Sequence, residues 1–160
     1  MDLRICQWLQ DLPVSATVRS SLWVFPALES VHIYSMIFLV TCIGAFDLRL
    51  SGFLIVPESL RPFSKFTKVV LRWASLFITL NLITGGFLFA AKASEYYLNP
   101  AFRIKMLLIF SGVAYHALLL PLAAKWNDAS ATSGGPKLAG LFSLCLWIGV
   151  IAAARWMAFM

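Results

Sequence analysis

Charge is what this sequence has least of. Only 12% of its 160 residues are charged, about half the share found in soluble domains, while 61% are hydrophobic and the mean hydropathy is +0.84. That shortage excludes a soluble globular domain and identifies an integral membrane protein. Cysteine is scarce as well. Cys6, Cys42 and Cys145 are odd in number and far apart, so they supply neither a disulfide framework nor a metal motif, and Cys42 and Cys145 read as small apolar fillers. No phosphate loop, nucleophile elbow or HExxH occurs, which removes the commonest hydrolase and transferase chemistries. Histidine occurs twice, too rarely for a two-haem arrangement. A charged n-region leading into a short apolar core and a small-residue cleavage site is also missing, so the N-terminus is expected to be kept. The thirteen basic residues against seven acidic ones do not indicate nucleic acid, because most lie at the ends of apolar runs where anionic headgroups meet them.

What the chain does have is apolar runs of membrane-spanning length. Residues 26–50, PALESVHIYSMIFLVTCIGAFDLRL, would extend roughly 37 Å as a helix, enough for a hydrocarbon core of about 30 Å with some tilt. This run carries Glu29, His32, Asp47 and Arg49. Ionisable groups within hydrocarbon cost several kcal/mol unless paired, bonded or ligated, so each marks a functional candidate. Glu29 and His32, three apart, share a face one turn inside the membrane's edge, whereas Asp47 and Arg49 are at the far end, in reach of headgroups or other spans.

Before this span, residues 2–12 set Ile5, Trp8, Leu9 and Leu12 opposite Arg4, Gln7 and Asp11, which predicts a short interfacial helix ended by Pro13. A second short segment over 15–24 brings Trp23 to headgroup level, and Pro26 suits the first turn of the span. Gly52, Pro57 and Pro62 punctuate a connector. Lys65, Lys68 and Arg72 then form a basic stripe opening the second span, which runs to about Ala91 and holds Asn81, Thr84, Gly85 and Gly86, small and hydroxyl residues that favour close helix packing. Asn99-Pro100 marks the start of the third span, with Arg103 and Lys105 near the surface and Gly112 and His116 one turn apart. The span ends near Ala124, marked by Trp126 and Asn127. The polar stretch 128–136 is a loop, and a fourth span over 138–159 carries Trp147 and Arg155 on one face. The expected fold is all-α: a transmembrane four-helix up-down-up-down bundle over 26–160, with an N-terminal interfacial segment over 1–25.

Trp23-x-Phe25-Pro26, Glu29-x-x-His32, Asp47-x-Arg49-Leu50, Thr84-Gly85, Asn99-Pro100-x-Phe102, His116 and Arg155-Trp156 resemble an uncharacterised family of small bacterial four-span inner-membrane proteins, over nearly the whole chain. More distantly, two histidines in a four-helix bundle resemble b-type cytochromes of the cytochrome b561 kind and the membrane domain of copper-resistance proteins. That likeness implies a haem b protein of electron transfer, with a membrane or periplasmic redox partner.

The residues themselves allow such a reading. His32 and His116 enter from parallel spans and would be the axial ligands of a single haem, Arg155 would meet a propionate, and Gly112 would make room for the ring. One count opposes it. Measured from Pro26 and Pro100, His32 lies about 9 Å and His116 about 24 Å along their helices, and letting the third span stand above the hydrocarbon through Lys105 reduces the mismatch to roughly 7 Å. Two other classes stand beside it. In one, each histidine bonds locally, His32 to Glu29 or a carbonyl and His116 to Asn81 or the backbone, and the protein is an accessory subunit of a larger membrane complex. In the other, Glu29, His32 and Arg155 form a proton or ion relay. Basic residues divide nearly evenly between the two sides, and the denser cluster after the first span points to that side as cytoplasmic.

Overall fold

The computed structural model describes residues 3–60, 62–123, 134–157 and 159. Seven α-helices occur among them: α1 (Leu3–Asp11), α2 (Pro13–Ser20), α3 (Val24–Leu50), α4 (Phe63–Ala91), α5 (Ala93–Leu98), α6 (Pro100–Ala123) and α7 (Gly134–Met157), with one 3-10 turn at Glu58–Leu60. α3, α4, α6 and α7 are each long and apolar enough to cross a membrane. Their outward side chains include Leu82, Leu107, Phe110, Leu118 and Ile148, all largely exposed. Such a surface is stable against lipid and not against water. The protein is a multi-pass membrane protein with an all-α, four-span architecture.

Local chemistry sets the helix ends. The Ser21 hydroxyl accepts from the Val24 amide at 3.2 Å and opens α3, two residues ahead of the expected start, so that Pro26 falls in the first turn. At the other end Gly52, at φ 78°, lets the Phe53 amide reach back to the Leu48 carbonyl at 2.9 Å, a left-handed stop that side chains resist. Asn99 Oδ1 accepts from the amides of Ala101 (2.9 Å) and Phe102 (3.3 Å), the expected N-cap of α6. α7 starts at Gly134, earlier than residue 138. The calls on Trp126, Asn127 and loop positions 128–133 lie outside the described residues.

The N-terminal segment differs from a helix lying only on lipid. α1 packs on α5 and α2 on α4, with Cys6, Ser15 and Val18 buried. Arg19 Nη1 donates to the Ala91 carbonyl at 3.2 Å, and Gln10 Oε1 accepts from the Ser94 amide at 3.2 Å. The hairpin thereby satisfies backbone groups at the α4–α5 corner that the helix ends leave open. α5 was not anticipated, because six residues are too few to establish a periodicity.

α3 is the central helix, packed by α4 on one side and α7 on the other, while α6 lies along α7. Phe46, Leu50, Phe63, Phe66, Val70 and Leu119 form an apolar cluster near the C-terminal end of α3. Near the other end, Phe89 of α4 stacks on Phe102 of α6 at 5.5 Å. These contacts fix the register: the first turns of α6 are level with His32, and its last turns with Asp47.

Candidate functional site

Two polar clusters interrupt the apolar interior, one towards each end. The first surrounds His32, whose Nδ1 is 3.0 Å from Thr84 Oγ1. That hydroxyl already donates to the Leu80 carbonyl at 2.7 Å, so its oxygen accepts from the ring, and His32 carries its proton on Nδ1. Gly85 makes the slot: a Cβ there would come within 3.0 Å of His32 Cε1. The Ser35 hydroxyl donates to the His32 carbonyl at 2.9 Å and accepts from Asn81 Nδ2 at 2.6 Å. Lys105, half-buried on α6, lies within electrostatic range of the imidazole.

The second cluster joins α3, α6 and α7. Asp47 is completely buried, and neither carboxylate oxygen has a hydrogen bond among the described residues. Its Oδ1 lies 3.5 Å from His116 Nε2, which the Ser143 hydroxyl approaches to 3.3 Å. His116 Nδ1 is 3.0 Å from the Gly112 carbonyl. A carbonyl only accepts, so Nδ1 must hold a hydrogen, and Nε2 of a neutral ring would present a lone pair to Asp47. A lone pair facing a carboxylate is repulsive. The contact is favourable only with one proton between them, on Nε2 as an imidazolium or on Oδ1 as a carboxylic acid. The pair is then neutral overall, as hydrocarbon surroundings demand.

Helix geometry brings this pair together. Asp47 shares the inward face of α3 with Phe46 and Leu50, all buried. Its helix meets α7 at Gly140, where any Cβ would collide with Ser51 Oγ and the Asp47 carbonyl, so only glycine permits this approach. Tyr115 donates to the Ala139 carbonyl at 2.8 Å and fixes α6 against α7 beside His116.

Residues 22–160 match the model of a family described as Family of unknown function (DUF6644). The chain belongs to that family. No curated protein and no solved structure matches it. The DUF6644 region contains α3 to α7 and both polar clusters; α1 and α2 precede it.

Four residues of this DUF6644 protein were expected around one haem, and of these only Gly112 and His116 are in contact. His116 sits beside Asp47, fifteen residues along α3 from His32, which is roughly 22 Å at 1.5 Å per residue. Counting on α6 from Lys105 to His116 gives about 16 Å. α6 does not stand above the bundle far enough to close the mismatch, so one iron cannot take both imidazoles. Gly112 is filled by Trp147, whose Cζ2 would lie 3.4 Å from a Cβ there. Arg155 is exposed, with its guanidinium 5.1 Å from the Phe159 ring, and Glu29 is exposed as well. His32 bonds to Thr84 and not to Glu29 or a carbonyl, while His116 bonds to the backbone at Gly112, the second of its two expected partners, and not to Asn81. These residues do not fit a single haem held by His32 and His116.

Asp47 meets other spans, one of its two expected settings, while Ser143 and the indole of Trp147 carry no site signal in the sequence. No spacing signalled the burial of Asp47, since α3 is apolar on nearly every face and Asp47 lies well round the helix from Ser35 and Leu39.

Proposed function

We propose that this protein carries protons, within the inner membrane of a bacterium, by way of the Asp47–His116 pair. The observation that carries the reading is a fully buried carboxylate with an imidazole nitrogen 3.5 Å away. An acid and a base that share one proton form a site that can be loaded and emptied. Emptying it leaves a net negative charge inside the bundle at a cost of several kcal/mol, which drives reloading. His32 forms a second basic station near the opposite end, with Nδ1 fixed by Thr84 and the Nε2 lone pair left to accept. The reading keeps the transport class and His32, and replaces Glu29 and Arg155, both exposed, with Asp47 and His116. The exposed basic stripe Lys65, Lys68 and Arg72 at the start of α4 supports a cytoplasmic position for the Asp47 end.

Purified protein in sealed vesicles holding a pH-sensitive dye tests this. An imposed membrane potential should drive proton entry above that of empty vesicles, and Asp47→Asn and His116→Gln should each abolish the excess. Flux equal in wild type and both variants would refute the role of the pair.

A further inference from the structure

Five buried side-chain polar atoms lack a hydrogen bond among the described residues, and three of them are Asp47 Oδ1, Asp47 Oδ2 and Trp147 Nε1. The others, on Thr67 and Ser94, belong to other parts of the fold. Orphaned groups are rare in folded proteins because each costs roughly 1–3 kcal/mol, so a donor and an acceptor orphaned against one imidazole call for a partner. Trp147 is 5% exposed and Asp47 0%. Both border His116: the indole packs edge-on to its ring with centroids 6.1 Å apart, and Asp47 faces its Nε2. Trp147 is one turn along α7 from Ser143, whose hydroxyl reaches the same Nε2. Its indole nitrogen lies 3.7 Å from the Cβ position of Gly112, one turn along α6 from His116. The two orphans therefore border the same imidazole, Trp147 at the Gly112 turn of α6 and Asp47 at Nε2.

Two hydrogen bonds of ordinary length through one intervening atom span up to about 6 Å. The intervening group must accept from an N–H and donate to a carboxyl oxygen. A metal cation fails the first requirement, and an inorganic anion fails the second. Water meets both, and the Ser143 hydroxyl offers it a third partner.

We infer that Trp147 Nε1 and Asp47 hold a single water molecule between them, and that this water hands the proton to the Asp47–His116 pair. The role rests on the proton-carrying reading; the binding site does not. Trp147 is a positioning residue, since it orients the water through its N–H and exchanges no proton itself. On the opposite side of Asp47 the core is closed by Leu50, Phe63 and the tight α3–α7 approach at Gly140. The water thus faces the half of the bundle that holds His32, and the pair is loaded from there.

Indole resonances of nitrogen-15-labelled protein test the site. The chain has six tryptophans, and Trp147→Phe identifies the signal that belongs to Trp147. If that variant fails to fold, benzothienylalanine at the same position keeps the shape, lacks the N–H and gives the same assignment. The Trp147 indole proton should show a cross-peak to water and should shift in Asp47→Asn. A missing water cross-peak overturns the inference, whether or not the signal shifts. A water cross-peak with no shift in Asp47→Asn overturns it too, because that water would not reach the carboxyl. Loss of proton flux is read separately, so a site that holds water in a protein that moves no protons would reject the transport reading alone.

Discussion

Removing His116 should harm the protein much more than removing Asp47, and the second loss should partly repair the first. Asp47 and His116 lie 3.5 Å apart. At an effective dielectric of about 20, opposite charges at that distance attract by roughly 5 kcal/mol. His116→Leu strands a fully buried carboxyl with no base, and breaking a buried pair in this way costs about 3–5 kcal/mol. Asp47→Leu leaves a neutral imidazole whose Nδ1–H still bonds to the Gly112 carbonyl and whose Nε2 still receives the Ser143 hydroxyl, at a cost of about 1 kcal/mol. In the double variant no charge remains, and two apolar side chains fill the gap, so adding Asp47→Leu to His116→Leu should recover at least ~2 kcal/mol. Reversible unfolding in mixed micelles, followed by circular dichroism, measures all four proteins. Equal single effects that simply add would refute the shared proton.

Two further variants test how the helices position the clusters. Gly85→Ala should destabilise by about 1–3 kcal/mol by pushing the His32 ring off Thr84, and the penalty should fall sharply in a His32→Ala background; an unchanged penalty would show that the glycine serves the backbone instead. Asn99→Ala should cost roughly 1 kcal/mol by opening the α6 N-cap, read in the same unfolding assay; an unaltered midpoint would mean that the Ala101 and Phe102 amides find other acceptors.

Much of the architecture was legible because the physics behind it is local. Apolar length gave the four spans, and Asn99-Pro100 gave the start of α6 to the residue. α2, α5 and the early start of α7 were less legible, since a short helix is held by its neighbours: Arg19 and Gln10 secure the α4–α5 corner from far away in sequence. His32 and His116 were correctly picked as residues needing partners, but their partners depend on the register of helices. Counting residues from the two prolines already put His116 deeper than His32. That difference is real, and it carries His116 past the level of His32 to Asp47. Gly112 looked like room for a ring and is occupied by one, the indole of Trp147 on a helix that the count did not include.

Infrared difference spectra across a pH titration test the central claim most directly. If Asp47 and His116 hold one proton between them, they titrate as a coupled pair, and Asp47→Asn must remove or displace the imidazole change as well as the carboxyl one. An imidazole that titrates in Asp47→Asn as it does in the wild type would contradict the account.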